Sequence, residues 1–548
     1  MNFNKILTGV GSLLLAIGNV AGAEREILIT EDYLHIPVSH SVDRVRLVME
    51  APGMEAMPVD IRVAPGNPDY WVFKNVSALK GKKLKITYPD GTPGIDFIRQ
   101  SSELPDADRI CSEPTRPKYH FTASRGWIND PNGLVYYDGE YHLFYQHNPF
   151  EREWGNMTWG HAVSRDLVHW QELPTAIHPD LSGTMFSGSA VIDYGNTSGF
   201  GSKDNPPMVI AYTVDSPDRQ DQAIAYSLDH GRTFTKYSGN PVISSKEIWD
   251  SRDTRDPRLF RHGDHWVMVL NERDGHSIYT SRNLRDWTYR SHTTGFWECP
   301  DLFELPVDGN KKNRKWVMSG ASGTYMVGNF DGYTFSPLSG KHRNASGALY
   351  AAQTFNNIPV SDGRRIQIAW GRLRIANEPL NGMMLMPTEL TLRTTKDGIR
   401  LASVPVKEVR DLFALAGKWE NLTQDEADKA LKPYSKDDCL RIRAVIKLSH
   451  ATDASLSLNG QRLIDYDMNS NRLNGNDYSP QDPTSMLLDV DIYLDRSVIE
   501  VFVEDGMLSF AFGRNTPGVN CKAEDFSFRG NRLTIKSLEV YRMQPDGR

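Results

Sequence analysis

The sequence SRDLVHW at residues 164–170 returns as SRNLRDW at residues 281–287. Two looser versions of it stand at residues 227–234 (SLDHGRTF) and 329–335 (NFDGYTF). Each copy reads as the end of a strand, a polar turn built on Asp or Asn, and an aromatic residue that packs under the turn. The copies begin 63, 54 and 48 residues apart, which suits repeated units of four short strands. The repeat therefore predicts a β-propeller.

The rest of the chain is rich in short alternating stretches and poor in helical periodicity. Alternation of apolar and polar residues is typical of half-buried strands, and it occurs at residues 26–30, 83–88, 141–145 and 266–270. Residues 116–400 have room for five blades of roughly 57 residues each. We therefore predict an all-β protein with a five-bladed β-propeller in that region.

Two further β regions are predicted on either side of the propeller. Residues 24–112 have the pattern of a small N-terminal β domain. Residues 401–548 begin with a linker, in which the charged segment 423–428 predicts a helix. Alternation at residues 454–458 and 498–503 then predicts a two-sheet β-sandwich.

Composition restricts the classes of function. The chain has 548 residues, 39% of them hydrophobic, and a formal net charge of -7. At about 150 residues per domain, this length predicts several domains with sizeable cores and excludes disorder as the main state. A net negative chain without a long run of Lys or Arg is not expected to bind nucleic acid or an anionic membrane surface. A neutral partner is expected instead.

The first 23 residues resemble a targeting segment. They contain one lysine, an apolar run from Ile6 to Val20, and then Ala21-Gly22-Ala23. This pattern is typical of a secretory signal peptide with an A-x-A cleavage site, and its core is too short to span a membrane. No later stretch has the 18 or so continuous apolar residues that a membrane span needs. We expect a protein secreted across the inner membrane and located in the periplasm or outside the cell.

The cysteines predict neither a disulfide scaffold nor a metal site. There are four, Cys111, Cys299, Cys439 and Cys521, which is few for a chain of this length, and none has zinc-finger spacing. We predict no metal and no cofactor. Spacing alone does not decide whether Cys439 and Cys521 form a disulfide.

Three acidic motifs fall within the predicted propeller. Asp130 lies in WINDPNG (residues 127–133), where the Pro-Asn-Gly turn holds its carboxylate at a strand end. Asp256 lies in Arg255-Asp256-Pro257, and the adjacent arginine predicts an ionised carboxylate. Glu298 lies in WECPD (residues 297–301), where apolar and aromatic neighbours would favour the protonated form that a general acid needs. Each motif alone is more often structural than functional.

Together the three motifs point to one site. A propeller brings one end of its strands around a central axis, so acids that are 126 and 42 residues apart in sequence can converge on one funnel. Glycoside hydrolysis needs two carboxyl groups beside the scissile bond. Aromatic rings supply flat walls for sugars, and ten of the twelve tryptophans lie between Trp127 and Trp370. The arrangement predicts a carbohydrate-cleaving site.

The sequence at this point resembles glycoside hydrolase family 32, the invertases, inulinases and levanases. The resemblance covers residues 116–548 and includes a segment of the family's C-terminal sandwich at residues 494–502. Its signature motifs appear in order at residues 127–133, 186–189 (FSGS), 255–257 and 298–300, with further family blocks at 145–149 and 154–161.

The resemblance implies a role for each acid. Asp130 would be the nucleophile, Glu298 the general acid and base, and Asp256 with Arg255 would hold sugar hydroxyls and stabilise the transition state. Retention of configuration would follow, with the Asp130 and Glu298 carboxyls about 5–5.5 Å apart. The residues implied to line the fructose subsite are Asn129, Gln146, Trp154, Phe186 and Ser187. Trp370 would form its floor, although a strand tryptophan of the core is an equal reading.

The resemblance also implies a secreted fructan hydrolase. Residues 173–180 and 186–191 look like bacterial levanases and favour β-2,6-linked levan over inulin or sucrose. Trp154 and Trp159 imply a closed terminal subsite and hence exo-action that releases fructose. An endo-acting levanase, a non-catalytic fructan-binding propeller and an enzyme for arabinan or xylan are the alternatives. The sequence leaves open the oligomeric state and whether the N-terminal domain binds carbohydrate or only packs.

Overall fold

The computed structural model describes residues 22–375, 378–448, 453–478, 486–514, 525–530 and 533–544. These residues form strands almost throughout, so the prediction of an all-β protein is confirmed. The predicted signal peptide, apart from its last two residues, lies outside the described residues. Cys521 also lies outside them, so its pairing with Cys439 stays open. The Cys439 thiol donates to Asp495 Oδ1 at 3.3 Å.

Residues 23–101, here called the N-terminal module, form two antiparallel sheets. The sheet orders are β1-β6-β3-β4 and β5-β2-β7. Leu47 and Ile86 of the first sheet and Ile36 and Val72 of the second share one buried core, so the apolar faces of the two sheets cover each other. Short 3-10 helices lie at Ser77–Leu79 and Ile95–Phe97. The strands are β1 (Ala23–Leu28), β2 (Tyr33–Val38), β3 (Val45–Ala51), β4 (Met54–Ile61), β5 (Tyr70–Asn75), β6 (Lys83–Tyr88) and β7 (Arg99–Ser101).

Three four-stranded antiparallel meanders follow, each in chain order within its sheet. The first also pairs with a short later strand, β28. The strands of the first meander are β8 (Gly126–Tyr137), β9 (Glu140–Asn148), β10 (Thr158–Ser164) and β11 (Trp170–Ile177). Those of the second are β12 (Thr184–Ile192), β13 (Met208–Asp215), β14 (Gln220–Ser227) and β15 (Thr235–Lys236). Those of the third are β16 (Thr254–His262), β17 (His265–Glu272), β18 (Gly275–Ser281) and β19 (Thr288–Thr294).

A larger sheet contains the next two groups of strands, except β25 (Ala345–Gly347) and β28 (Leu380–Asn381), and the two groups join where Val307 pairs in parallel with Leu392. The fourth meander and the short strands after it are β20 (Asp301–Val307), β21 (Asn310–Gly320), β22 (Thr324–Phe330), β23 (Phe335–Pro337), β24 (His342–Arg343) and β25 (Ala345–Gly347). The last group is β26 (Leu349–Thr354), β27 (Ile366–Gly371), β28 (Leu380–Asn381), β29 (Met383–Met384), β30 (Thr388–Thr395) and β31 (Gly398–Pro405).

The repeated sequence motif forms the turn between the third and fourth strands of a meander. In the first copy, Asp166 Oδ1 accepts the backbone N–H groups of Val168 and His169 at 3.0 and 2.8 Å. Asn283, Asp229 and Asp331 make the equivalent pair of bonds in the other three copies. The indole N–H of Trp170 donates to Leu167 O at 3.0 Å, and that of Trp287 to Leu284 O at the same distance. These tryptophans therefore close turns, as the sequence predicted.

The first strands of the five groups contact one another in a ring. β8 contacts β12 and β26, β12 contacts β16, and β20 contacts β26. Between β16 and β20, Arg258 Nε donates to Asp301 Oδ1 at 2.7 Å, with both side chains buried. Near the middle of the ring, Asn356 Nδ2 donates to Ala190 O and Leu259 O, at 2.7 and 2.8 Å. One buried amide thus joins two neighbouring strands.

The C-terminal region is a sandwich of two sheets, as predicted. The sheet orders are β25-β40-β39-β38-β33-β42-β32 and β37-β36-β35-β34-β41, and both contribute to one apolar core. A Thr423 capping box begins helix α2 where the charged segment predicted a helix. The remaining elements are α1 (Lys407–Arg410), β32 (Phe413–Leu422), α2 (Gln424–Leu431), a 3-10 helix (Lys432–Tyr434), β33 (Cys439–Lys447), β34 (Ala454–Leu458), β35 (Gln461–Asp467), β36 (Arg472–Leu473), β37 (Asn476–Asp477), β38 (Leu487–Asp495), β39 (Val498–Val503), β40 (Leu508–Gly513), β41 (Phe526–Gly530) and β42 (Thr534–Met543).

Candidate active site

In each of the first three meanders, the pairing of the first strand is irregular where that strand carries a predicted site motif. Strand pairing shifts between Ile128 and Pro131 in β8, between Phe186 and Gly188 in β12, and between Arg255 and Arg258 in β16. Such bulges redirect side chains that a regular strand would point across the sheet. The motifs lie near the beginning of strands that run alongside one another. Their side chains therefore meet at one end of the ring.

Asp130 is held by two short polar neighbours. Its Oδ2 accepts from Ser187 Oγ at 2.7 Å, and its Oδ1 accepts from Asn129 Nδ2 at 3.1 Å. Burial raises the pKa of Asp130, against the effect of these hydrogen bonds, and the charge of Glu298 adds to the rise. The indole N–H of Trp127 donates to Asn129 Oδ1 at 2.9 Å, which orients the amide.

The expectation that Arg255 keeps Asp256 ionised is wrong. Burial raises the pKa of Asp256 to about 7, against the opposing charge of Arg255. The charges of Glu298 and Asp130 push it further in the same direction. The guanidinium of Arg255 turns elsewhere: its Nη2 donates to Glu298 Oε1 at 2.9 Å and its Nη1 to Asp253 Oδ1 at 3.0 Å. Adjacency in sequence did not make these two residues hydrogen-bonding partners.

Glu298 does not have the apolar surroundings that its sequence neighbours indicated. Its side chain is 27% exposed and both carboxylate oxygens are engaged. Oε1 accepts from Arg255 and Oε2 accepts from the hydroxyl of Tyr350 at 2.5 Å. Its backbone N–H donates to Asn271 Oδ1 at 2.7 Å. Glu298 differs from the expectation because the Trp297 ring faces the Arg255 guanidinium at 5.0 Å and does not enclose the Glu298 carboxylate.

Three residues of the site have left-handed backbone. The φ angles are 65° at Asp256, 51° at Glu298 and 44° at Cys299. Residues other than glycine seldom adopt this region, and each instance costs of order 1–3 kcal/mol. Such conformations cluster at functional sites, where the surrounding packing maintains them. Here they accompany two of the three acids.

Cys299 lies between the acids and joins them. Its thiol is 3.5 Å from Asp130 Oδ2 and 3.6 Å from Asp256 Oδ2, and its backbone N–H donates to that Asp256 oxygen at 2.9 Å. Burial raises the pKa of the Cys299 thiol well above its usual value, and the nearby carboxylates raise it further. A protonated thiol is a weak donor and not a nucleophile. The structure thus brings Asp130, Asp256 and Glu298 together around one side chain.

Aromatic rings flank the acids in two groups. Trp154, 44% exposed, meets Phe186 edge to face with centroids 5.9 Å apart. On the other side, Trp370 contacts Trp127 at 5.9 Å and Tyr350 at 6.3 Å. Trp370 is therefore one ring away from Glu298, through Tyr350. Its indole nitrogen is buried, and no hydrogen-bond partner for it is found among the described residues.

Three of the residues implied to line the fructose subsite are largely buried, namely Asn129, Gln146 and Ser187. Gln146 is 1% exposed, and its Nε2 donates to Met185 O at 2.9 Å. Ser187 is 6% exposed and its hydroxyl is occupied by Asp130. Gln146 therefore supports β12 at Met185, the residue before Phe186. Trp154 and Phe186 are the members of the predicted subsite whose rings have open surface.

Comparison with known proteins agrees with this site. The sequence model of the glycosyl hydrolases family 32 N-terminal domain matches residues 120–405, the part of the chain that contains all three acids. The chain belongs to glycoside hydrolase family 32. It is therefore a glycoside hydrolase, and its catalytic groups are to be sought among these carboxylates.

Members of family 32 with established names are similar over most of the chain. A levanase of Bacillus subtilis (strain 168) is 41% identical, over 78% of this chain and 71% of that protein. An extracellular exo-inulinase of Aspergillus awamori is 33% identical, over 72% of this chain and 88% of that protein. The crystal structure of exo-inulinase from A. awamori superimposes with a TM-score of 0.67, at 28% identity, and covers 79% of this chain and 99% of that chain.

Sequence reasoning missed several residues of this family 32 site. Tyr350, which bonds Glu298, lies in an apolar stretch of β26 that has no acidic motif. Asn271 supports the Glu298 backbone, and Thr213 Oγ1 accepts the backbone N–H of Asp256 at 3.0 Å. The one available signal for Tyr350 was an aromatic residue on the first strand of the last group. Asn271 and Thr213 carry no signal in a single sequence.

A cavity of about 580 Å³ occupies the other end of the same strands. It is lined by residues late in β12, β16 and β20, including Ile192, His262 and Glu304, and by none of the predicted site residues. Its size therefore does not identify the catalytic end.

Within the described residues, no helix is long and apolar enough to cross a membrane.

Proposed function

We propose that this family 32 enzyme is a secreted, retaining β-fructofuranosidase that hydrolyses fructans, with levan as the favoured substrate. The observation that carries the proposal is the convergence of Asp130, Asp256 and Glu298 around Cys299. Two carboxyl groups of different surroundings are the minimum for glycoside hydrolysis with retention. The names of the levanase and the exo-inulinase support fructan as the substrate.

In the proposed mechanism, Asp130 attacks the anomeric carbon of a fructosyl unit, and the bond to the leaving oxygen breaks as Glu298 gives that oxygen its proton. Glu298 then takes a proton from water, whose oxygen displaces the Asp130 carboxylate and restores the original configuration. Ser187 and Asn129 donate to Asp130 and direct its carboxylate. Arg255 donates to one carboxylate oxygen of Glu298 and Tyr350 donates to the other, so the two residues fix the orientation of that carboxylate.

Asp256 has a different proposed role, in which it contacts the sugar hydroxyls and does not bond to carbon. A pKa near 7 lets the carboxyl both accept and donate hydrogen bonds at neutral pH. Arg255 would contact the same sugar from its position between Asp256 and Glu298. The proposed subsite also includes Asn129, Gln146, Trp154, Phe186, Ser187 and Trp370.

The fold proposed for this function is a five-bladed propeller at residues 116–400. The contacts between the first strands of five successive groups support this count. The last strand of the proposed fifth blade, β31, ends at Pro405, beyond the predicted boundary at residue 400. We further propose an N-terminal accessory domain at residues 24–112 and a linker and β-sandwich at 401–548, with removal of residues 1–23 on secretion to the periplasm or the medium.

Action from the chain end is proposed because Trp154 and Phe186 form a wall beside Asp130. Their edge-to-face contact supports a closed subsite that receives one terminal fructose. The related exo-inulinases are named as extracellular, which supports the proposed location. Their names also specify exo-action, which supports the proposed mode of cleavage.

The decisive experiment measures sugar release from levan, inulin, sucrose and arabinan by the purified protein. Free fructose from the first minutes, fastest on levan, is the expected result. A ladder of oligosaccharides without early fructose would establish endo-action. Binding without any release would establish a non-catalytic protein, and release from arabinan alone would identify another sugar.

Two variants test the assignment of the catalytic residues. Asp130→Ala and Glu298→Ala should each abolish turnover without loss of folding, because the reaction needs both carboxyl groups. Asp397→Asn is the control, since this exposed carboxylate lies in the hairpin between β30 and β31 and pairs with the neighbouring Lys396. Near wild-type activity of a folded Asp130→Ala protein would refute the assignment. NMR detection of the first-formed anomer tests retention.

A further inference from the structure

The loop between β9 and β10, residues 149–157, belongs partly to the N-terminal module. Phe150 is 2% exposed and lies in the apolar core of that module, together with residues such as Val59 and Ile61. This is the one residue of that core from outside residues 29–98. The loop therefore contributes a side chain to the interior of the module, and the contact between them is more than a surface contact.

Glu151 anchors the loop through buried charge. Its side chain is fully buried, and every hydrogen-bonding partner found for it belongs to the N-terminal module. Arg44 donates to Oε2 at 2.7 Å through Nε, and Arg62 donates to the same oxygen at 2.8 Å through Nη1. The backbone N–H of Arg62 donates to Oε1 at 2.9 Å. A buried carboxylate with two guanidinium partners is costly to break, because removal of a partner leaves charge uncompensated.

Asn156 anchors the other end of the loop. Its Oδ1 accepts the backbone N–H of Asp60 at 2.7 Å, and its Nδ2 donates to the backbone O of the same residue at 2.8 Å. The side chain thereby imitates a strand that pairs with β4. Asn156 itself has a left-handed φ of 46°, a conformation that asparagine tolerates better than most residues. Both ends of the loop are thus tied to the module.

Trp154 lies between these two anchors. It is three residues after Glu151 and two before Asn156, and its ring meets Phe186 at the catalytic end of the ring of strands. Phe186 directly precedes Ser187, the donor to Asp130. Trp154 is 44% exposed, so it is not enclosed in an apolar core that would fix its position. Its position depends on the loop that carries it.

We propose that the N-terminal module is a positioning element for the sugar subsite. Glu151, clamped by Arg44 and Arg62, holds Trp154 against Phe186, so the module sets the affinity for the fructosyl unit without contacting it. Glu151 is thus a positioning residue that acts through Trp154. The inference rests on the proposed function, and it favours a structural over a carbohydrate-binding role for the module.

A double-mutant cycle on the full-length protein tests this route. We expect Glu151→Gln to raise KM on a short fructo-oligosaccharide about tenfold with little change in kcat, since misplaced aromatic contacts cost binding more than chemistry. In a Trp154→Ala background, the same change should raise KM no further, because residues that act through one another are not additive. Additive effects, or an unchanged KM in folded Glu151→Gln, would overturn the proposal.

Two further variants protect the test against misfolding. Arg44→Gln leaves Arg62 in place and should raise KM in the same direction by a smaller factor. Lys83→Gln is the control: Lys83 pairs with Glu26 of the module at 2.8 Å, on exposed positions of β6 and β1 that are not among the partners found for the loop, so its KM should equal that of the wild type. Equal rises in KM for Arg44→Gln and Lys83→Gln would show a general loss of module stability and would contradict the inference.

Hydrogen exchange separates this inference from the proposed function. Amides of residues 149–157 should exchange faster in Glu151→Gln than in the wild type, whatever the substrate is. If the wild-type protein releases no fructose, the proposed function fails while faster exchange still supports the clamp. If the wild type is active and exchange in the loop is unchanged, the clamp fails alone.

Discussion

Two clusters of buried carboxylates can be compared in this molecule. One consists of the three acids of the candidate active site, and the other lies where the segment before β8 meets the C-terminal sandwich. In the second, His120 donates through Nδ1 to Asp495 at 2.9 Å and through Nε2 to Glu500 at 2.8 Å. The backbone N–H groups of Lys118 and Tyr119 also donate to Asp495, at 2.8 and 3.0 Å.

Asp256 and Asp495 are both buried, but their pKa values are shifted in opposite directions. Burial alone would raise the pKa of Asp495, yet the hydrogen bonds and charge of His120 and the two backbone N–H groups lower it. Burial opposes the charge of His120 as well, but its two carboxylate partners raise its pKa to about 9. Asp256 has one backbone donor and a weak thiol, and burial raises its pKa to about 7.

The difference shows what distinguishes a proposed catalytic acid from a structural one in this protein. Asp256 and Asp495 are both buried, so their hydrogen-bond donors and the charges beside them decide the direction of the pKa shift. Asp495 is saturated, which ties the propeller region to the sandwich. Asp130 and Asp256 keep acceptor positions for a ligand, and their surroundings bear strained backbone. Such a site gives up some stability for function.

The largest expected effect comes from removing the saturated acid. Asp495→Ala leaves His120 and two backbone N–H groups without their buried partner, which should cost about 3–5 kcal/mol of unfolding free energy. Chemical denaturation of the purified variant measures this cost. The rate per folded molecule should equal that of the wild type. A stability unchanged from the wild type would remove the contrast between the clusters.

Replacement of the Asp256 carboxyl is expected to have a smaller effect of the opposite sign, which is an increase in stability. The folded-state pKa, about 7, lies above the ordinary value of 3.8. Between these values the native state holds the proton more tightly than the unfolded chain, so this carboxyl contributes less stability as pH rises through that window. Asp256→Asn should therefore raise Tm at pH 8 by a few degrees, and by less at pH 5. A variant that melts below the wild type at pH 8 would contradict the pKa assigned to Asp256.

The smallest expected effect is at Tyr350. Tyr350→Phe removes the hydroxyl that donates to Glu298, while Arg255 still holds the other oxygen. A hydrogen bond to a charged group is worth about 1.5–3 kcal/mol, so kcat should fall roughly tenfold with little change in Tm. Steady-state kinetics on levan measures the change. An unchanged kcat would mean that Arg255 alone orients Glu298.

Local patterns were enough to predict much of the architecture. The turns at residues 164–170 and 281–287 were predictable because one Asp or Asn side chain and one indole complete their hydrogen bonds within seven residues. Helix α2 was predictable for the same reason, through its capping box. The three acids were singled out by motif, and their convergence followed from the expected ring of strands.

The charge states and supports of the site could not be predicted in this way. Arg255 and Asp256 are neighbours in sequence, but the bulge in β16 turns the guanidinium to Glu298, 43 residues away. The attachment of the Trp154 loop to the N-terminal module depends on Glu151 meeting Arg44 and Arg62, about 90 to 107 residues earlier.

Strands, turns and the identity of the acids therefore follow from the amino-acid sequence, because each depends on side chains within one short segment. The proton affinity of Asp256, the ion pair of Glu298 and the clamp on Trp154 arise only in the folded molecule. These properties depend on desolvation and on donors from other strands, and packing alone determines which groups lose water and which gain a partner.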